Sequence, residues 1–393
     1  MAETIHPGIY WIGVSNPESE EFHGIATPRG GSYNSYLILD EKPTLIDTTN
    51  TPFLSEYMES LRGIIDPVKI SYIVVNHAEP DHNGAIAEIL KRCSNAQILC
   101  TAKGKEMISA AYGITDRVRE VKEKEKIPLG KRSLTFYPIP MVHWPESMMT
   151  FCEPDKILFP NDLFGTEIGH EAAFADQMKP FQELTRDYFA IVFRPFAMPV
   201  NRAIQTAKAL SPEIIAPSHG PAYRKDTDRI IAYYEQLAIH PEEKKACIIY
   251  SSIWHSNELM AHEIAEGIRE SGYGCSIHQI EKSNCVKLMA EALTSEILVL
   301  GSLTIAGGYH PAFETLFLFL ALNNQKGKIS AVFGTHGWAS AAVPKLTEKL
   351  KGLSYSVVGT LDMRFGPHST EDMQELKDFG KRIAAGAEGN TNV

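Results

Sequence analysis

The sequence predicts an α/β protein of two domains, a layered sheet-and-helix domain followed by a doubly wound parallel sheet. Three observations predict it. The chain has 393 residues, long for a single core, so two domains are the prior expectation. The first half carries short β-branched or aromatic runs, several in succession without a long helix between them, which suits stacked layers. Beyond residue 244 the pattern becomes strand and helix in strict alternation, the rhythm of parallel βαβ units.

Taken in order, the first-half strands are GSYNSYLIL (31–39), PTLIDT (43–48), ISYIVVNH (70–77), AQILCT (96–101) and SLTFYPIP (133–140). Helical spacing appears between them in PFLSEYMESLRGI (52–64) and GAIAEILKRC (84–93). The charged, proline-containing LAIHPEEKKA (237–246) marks the boundary, giving domains 1–245 and 246–393. KKACIIYSSIW (244–254) then reads as a buried strand, and SNELMAHEIAEGIRESG (256–272) as an amphipathic helix closing on glycines. CSIHQI, VKLMAEAL, EILVLGS, PAFETLFLFLALN, KISAVFG, AAVPKLTEKLKGL, YSVVGTL and EDMQELKDFGKRIAAG continue the alternation.

Composition excludes several classes. Hydrophobic residues make up 44% and charged residues 22%, ordinary for globular chains and unlike disordered ones. No apolar run reaches the roughly 18–20 residues of a membrane span. MAETIHPGIYWIG lacks the basic-then-apolar form of a secretory signal, so a cytoplasmic protein is expected. A net charge of −10 argues against nucleic acid and anionic membranes as partners. The six cysteines are scattered without a C-x-x-C pair. That disfavours disulfides and cysteine-held iron, so any electrons are carried on something else.

VVNHAEPDHNGA (74–85) places His77, Glu79, Asp81 and His82 just past an apolar strand. Loops leaving a rigid sheet can bring ligands together, and histidine with carboxylate suits zinc, iron or manganese. Three more positions follow apolar stretches among small or turn residues: His143 in PMVHWPES, Asp162 in ILFPNDLFG and His219 in IIAPSHGPA. Taken singly, each reads as a core histidine or a helix cap; the set of seven reads as a metal site. It is similar to the H-x-H-x-D-H signature of the metallo-β-lactamase superfamily, with Glu79 in place of the second histidine. Three carboxylates against two ferrous ions leave a net charge of about +1, which a bridging hydroxide neutralises. Further oxidation suits anionic oxygen ligands, whereas zinc never changes its charge. Glu79 therefore favours a redox di-iron centre.

In the second half, Ser252, Ile253, Trp254, His255, Ser256 and Asn257 form a polar turn entering a helix. Backbone N–H groups and hydroxyls there make a phosphate site. The turn lacks G-x-G-x-x-G, so a monophosphate fits better than a dinucleotide. GSLTIAGGYHP carries Ser302, Leu303, Thr304 and Ile305; FGTHGWASAA carries Thr335, His336, Gly337 and Trp338. In a sheet of flavodoxin order these loops lie together at the strand ends, and Trp338, with Trp254, offers a flat surface to an FMN ring.

On these motifs, together with FHGIATPRGGSYNSYLI, VHWPESM, PNDLFG and PSHG, the whole chain resembles the flavodiiron proteins, also called A-type flavoproteins or rubredoxin:oxygen oxidoreductases. Leu303 stands where the family has proline in GSPT, and Thr335 where it has serine or alanine; both keep the backbone donors. The resemblance implies a metallo-β-lactamase-like αββα domain followed by a flavodoxin-like doubly wound sheet, in the minimal two-domain form. It implies FMN and two irons: His77, Glu79, His143 and Asp162 on one iron, and Asp81, His82, His219 and the bridging Asp162 on the other. It places His23 and Tyr188 beside the substrate pocket, and Asp47 as a turn residue supporting the ligand loops. It implies reduction of dioxygen to water, nitric oxide to nitrous oxide, or both, in a head-to-tail homodimer. Rubredoxin, a reduced deazaflavin coenzyme or a flavin reductase would supply electrons. Two other readings are a dinuclear zinc hydrolase with a flavodoxin-like accessory domain, and a non-enzymatic electron carrier or gas sensor.

Overall fold

The computed structural model describes residues 2–17, 21–22, 25–26, 29–169, 172–239, 243–323 and 325–390. The chain divides into two compact units, Met1–Ile239 and His240–Val393.

The first unit holds two packed sheets. One has the order Glu3–His6, Ile9–Trp11, Tyr36–Ile38, Thr44–Ile46, Tyr72–Val74, Gln97–Cys100, Val118–Glu120, the last four parallel. The other runs Lys126–Pro128, Ser133–Pro138, Met148–Glu153, Ile157–Phe159, Ile214–Ile215, antiparallel except for the final pair. Strand side chains alternate between faces, and the cores follow that period. Tyr36, Ile38, Ile46, Val74 and Leu99 meet Leu134, Phe136, Cys152 and Phe159 between the sheets. Leu37, Leu45, Ile73 and Ile98 point the other way and bury Tyr57, Met58 and Leu61 of the helix Leu54–Arg62 and Ile108 of the helix Ala102–Tyr112. Behind the second sheet, Phe151, Leu158 and Ile215 pack on the helices Gln182–Val192, Ala197–Leu210 and Thr227–Ile239. The result is four layers, helix–sheet–sheet–helix.

GSYNSYLIL does not form one strand. It divides into Gly31–Tyr33 and Tyr36–Ile38, which pair in different sheets. Asn34 causes the break: it accepts from Trp11 Nε1 at 2.8 Å and donates to the carbonyls of Pro217 and Gly220 at 2.8 and 2.6 Å. These bonds tie the turn to the His219 loop.

The second unit is a five-stranded parallel sheet with spatial order Gly274–Gln279, Glu243–Tyr250, Ser295–Leu303, Ile329–His336, Ser356–Arg364. In chain order this is 2-1-3-4-5, so the first and third strands flank the switch point. Ala246, Ile248, Val299, Ala331 and Phe333 cover one face with the helices Ser256–Glu270 and Thr370–Asn390. Gly301 is obligatory in the third strand, since a Cβ there would lie 2.1 Å from the Phe333 ring. The expected strand 244–254 stops at Tyr250; the Ser251 carbonyl is taken by the Asn257 amide at 2.9 Å, which turns the chain into the helix. No helix among the described residues is long and apolar enough to cross a membrane.

Candidate metal centre and flavin loops

Four loops at the C-terminal ends of strands supply the metal constellation. The strand Tyr72–Val74 delivers His77 and Glu79, then the short helix Pro80–Asn83 with Asp81 and His82. Asp162 follows Ile157–Phe159, His219 follows Ile214–Ile215, and His143 lies between Ser133–Pro138 and Met148–Glu153. Several turns here adopt left-handed backbone without glycine: Asp47 (φ 53°), Met141 (φ 65°), Asn161 (φ 59°) and Phe164 (φ 67°). Such conformations cost energy and persist only where surrounding structure enforces them.

Asp47 does the enforcing at the first motif. Buried at the end of Thr44–Ile46, its Oδ1 accepts from Asn76 N at 2.9 Å and Asn83 Nδ2 at 3.1 Å, while Asn83 Nδ2 also reaches the His77 carbonyl at 2.6 Å. Thr48 Oγ1 donates to the His82 carbonyl at 3.0 Å. The peptide between His77 and Asn83 is therefore held at both ends.

Around Asp162 the donors fall into two trios. Its Oδ2 lies 3.6 Å from His77 Nε2 and 3.4 Å from His143 Nε2, and Glu79 Oε2 is 3.0 and 3.2 Å from the same two nitrogens. Its Oδ1 lies 3.1 Å from His82 Nε2 and 3.2 Å from His219 Nε2, and Asp81 Oδ2 is 3.3 and 3.2 Å from those. Metal–ligand bonds of about 2.0–2.2 Å place neighbouring donors about 3.0–3.5 Å apart, so each trio has the spacing of a coordination polyhedron. The groups His77–Glu79–His143, His77–His82–Asp162 and Asp81–His82–His219 could each hold a metal ion.

Electrostatics support that reading of the donor set. Burial would lower the imidazole pKa values, but the close carboxylates of Asp162 and Glu79 raise His143 to about 9, and those of Asp162 and Asp81 raise His219 to about 10. Burial pushes Glu79 up, yet its contacts with His143 and His77 bring it down to about 2. Burial also pushes Asp162 up, and the surrounding imidazoles hold it well below the usual carboxylate range. Buried carboxylates set against imidazoles in this way call for positive charge at the centre, which a metal pair would supply.

Aromatic rings wall the cluster. Tyr188 is 2% exposed, its ring 6.1 Å from His219 and 5.8 Å from Phe193, which stands 6.4 Å from His143. Burial raises the Tyr188 pKa well above normal, helped by Asp162, so its hydroxyl stays protonated. His23 lies outside the described residues.

In the second unit the three loops converge by direct bonds. Ser251 Oγ donates to Ser302 Oγ at 3.0 Å, the Thr304 amide donates to the Thr335 carbonyl at 2.9 Å, and Thr304 Oγ1 accepts from Ala341 and Ala342 N at 3.2 Å. Ser252, Ile253 and Trp254 lead to His255 (φ 64°), which caps the helix Ser256–Glu270. Ser302 and Leu303 end the third strand and Thr304 and Ile305 follow it; Thr335 and His336 end the fourth and Gly337 and Trp338 follow it. Trp254 is 82% and Trp338 95% exposed, large apolar faces with little of their area covered within this chain.

Residues 32–220 match the ODP family beta lactamase profile and residues 248–379 match Flavodoxin. The nitric oxide reductase of Moorella thermoacetica is 36% identical over 390 residues, 97% of this chain and 98% of its own. The rubredoxin-oxygen oxidoreductase of Megalodesulfovibrio gigas is 31% identical over 98% of both chains. The solved structure of rubredoxin oxygen:oxidoreductase from Desulfovibrio gigas matches all of both chains with TM-score 0.93 and 30% identity. The flavodiiron protein of Giardia intestinalis matches with TM-score 0.92 and 29% identity, over 99% of this chain and 98% of that one.

The chain is a flavodiiron protein. It is an oxidoreductase with a metallo-β-lactamase-like domain followed by a flavodoxin-like one. Sequence reasoning passed over several residues that shape this flavodiiron protein's centre. Glu146 Oε1 lies 2.6 Å from His77 Nδ1, the Ser32 carbonyl 2.6 Å from His219 Nδ1, and Ser218 Oγ donates to Asp162 Oδ1 at 2.9 Å. Glu146 and Ser218 were findable, since both sit within three residues of a candidate histidine and each ligand needs a second partner. Ser32, acting through its backbone, leaves no such signal.

Two irons suit the donor set on this structure's own evidence. Both ring nitrogens of His82 and Oδ2 of Asp162 are buried without a hydrogen bond of good geometry among the described residues. Buried polar atoms in that state require a partner, and the donor spacing supplies room for one in each trio.

Proposed function

We propose that this flavodiiron protein is a terminal reductase of small diatomic gases, taking dioxygen to water, nitric oxide to nitrous oxide, or both. His77, Glu79 and His143 would hold one iron and Asp81, His82 and His219 the other, with Asp162 shared between them. The observation that carries the reading is the division of Asp162: its two oxygens face two different trios at 3.1–3.6 Å. The segments 252–257, 302–305 and 335–338 would hold FMN, and Trp338 would offer its exposed face to the ring. Bound there, a diferrous pair and a reduced flavin hold four electrons, the number consumed in making two waters from dioxygen.

The chain's own groups do the rest. Asp47, Asn83 and Thr48 fix the first ligand loop, so the open side of the centre keeps its shape through turnover. Tyr188 and Phe193 exclude bulk water, and the Tyr188 hydroxyl, which keeps its proton, remains a neutral polar group beside the cluster. The chain has no nicotinamide fingerprint, so electrons enter from a protein or a reduced flavin-like donor. They pass between copies in the head-to-tail homodimer that the family resemblance implies. A cytoplasmic setting fits the reading.

Two named relatives support it, one a nitric oxide reductase and one a rubredoxin-oxygen oxidoreductase. The test is anaerobic reduction of the purified protein, then dioxygen and nitric oxide added separately, with both consumption rates recorded. Loss of at least one gas in proportion to the reduced protein is expected; loss of neither would overturn the reading.

A further inference from the structure

One buried carboxylate beside the cluster belongs to neither trio. Glu146 is 2% exposed. Its Oε1 lies 2.6 Å from His77 Nδ1 and accepts from Ala78 N at 2.9 Å, while its buried Oε2 has no hydrogen bond among the described residues. The backbone beneath it is pinned as well. Thr101 Oγ1 donates to the Glu146 carbonyl at 2.9 Å and caps the helix Ala102–Tyr112 by accepting from Gly104 N at 3.0 Å. Trp144, two residues earlier, sets its ring edge-on to His77 at 5.0 Å and 86°. The loop between Pro138 and Met148 thus provides one candidate ligand, His143, and orients another, His77.

The opposite trio is supported differently. His219 Nδ1 faces the backbone carbonyl of Ser32 at 2.6 Å, a neutral acceptor. A carboxylate behind an imidazole fixes its tautomer and ring angle and makes the metal-facing nitrogen more basic than a carbonyl does. Burying a carboxylate with one oxygen unbonded is costly unless positive charge lies close by, and a cation across the His77 ring would provide it.

We propose that Glu146 is a positioning residue that makes the two halves of the metal centre unequal. It directs His77 Nε2 toward Glu79 and Asp162, and it renders the His77–Glu79–His143 half the more electron-donating. A metal there favours its ferric form more than a metal in the Asp81–His82–His219 half. The inference rests on the di-iron reading above. It gives the pair an order: under a one-electron reductant, the Asp81 half accepts an electron first and the His77 half second.

Two measurements on the full chain test it. Anaerobic titration with dithionite, followed by electron paramagnetic resonance, resolves the two one-electron steps of the irons, with the flavin midpoint as internal reference. In Glu146→Gln, a nearly isosteric neutral change, the second iron step should move to higher potential, by about 59 mV per tenfold loss of ferric preference. The other step and the flavin should stay in place, and Glu146→Asp should restore part of the shift. Cobalt(II) titration of the metal-free protein needs no redox step. There Glu146→Gln should weaken one of the two binding equivalents by roughly 10–100-fold and leave the other. Two unmoved iron steps, equal movement of both, or unchanged cobalt binding would overturn the inference. Wild-type protein without iron would instead remove the di-iron reading itself.

Discussion

Asp162 is the residue on which both halves of the centre depend. It is 1% exposed and touches four imidazoles through two oxygens. Removing it leaves buried imidazoles facing each other without a shared anion, which is strongly destabilising for any bound cation. Asp162→Ala should therefore drop iron from two per chain to near zero, with the flavin absorbance retained because the FMN loops lie in the other unit. Metal analysis beside a visible spectrum checks this; a normal iron content would contradict the bridging role. Glu79 behaves differently in kind. As a carboxylate where the related superfamily signature has histidine, it lies 3.0–3.2 Å from two imidazoles of one trio alone. Glu79→Ala should remove about one iron per chain, and retention of both would show that the trio holds metal without it.

At the scale of elements, the turns carry the cost of function. Gly220 follows His219 with φ +74°, and a Cβ there would meet the Thr166 carbonyl oxygen at 2.9 Å. Gly220→Ala should cost about 1–3 kcal/mol, seen as a lower Tm and faster loss of metal to a chelator; wild-type values for both would show that the turn tolerates a side chain. In the flavin loops the stakes are reversed. Trp338 is 95% exposed, so Trp338→Ala should leave stability unchanged. If Trp338 stacks on the isoalloxazine, its loss costs ~0.5–1.5 kcal/mol, about a 2- to 12-fold rise in the FMN Kd by titration of the flavin-free protein. An unaltered Kd would place the ring elsewhere. These loops were legible in the sequence because each follows a strongly apolar parallel strand and is bounded by Gly, Ser or Thr. The division of 31–39 was not legible. Its aromatic and aliphatic residues read as one strand, and only the partners of Asn34, about 180 residues away in sequence at Pro217 and Gly220, decide that it turns.

At the scale of the whole molecule, the alternating pattern beyond 244 translated directly into the 2-1-3-4-5 sheet, since parallel order is set by local βαβ handedness. The first unit was harder. Its second sheet pairs strands that lie far apart in sequence, as when Ile157–Phe159 pairs with Ile214–Ile215, and several short strands carry too few residues to show a period. The seven residues that the structure gathers around Asp162 were nonetheless named from sequence. Each stands just past an apolar run, and such positions meet wherever strand ends gather on one edge. The Ser32 partner stayed hidden, because a backbone carbonyl has no spacing to betray it. Family membership and the three-carboxylate donor set together displace the zinc-hydrolase reading, because the named relatives are oxidoreductases.

The account stands most directly on where the metals sit. Anomalous diffraction from crystals of the purified protein at the iron absorption edge should show two peaks. One should lie among His77, Glu79 and His143, the other among Asp81, His82 and His219, with Asp162 between them. A single peak, two peaks that respond at the zinc edge instead, or scattering confined to the surface would contradict it.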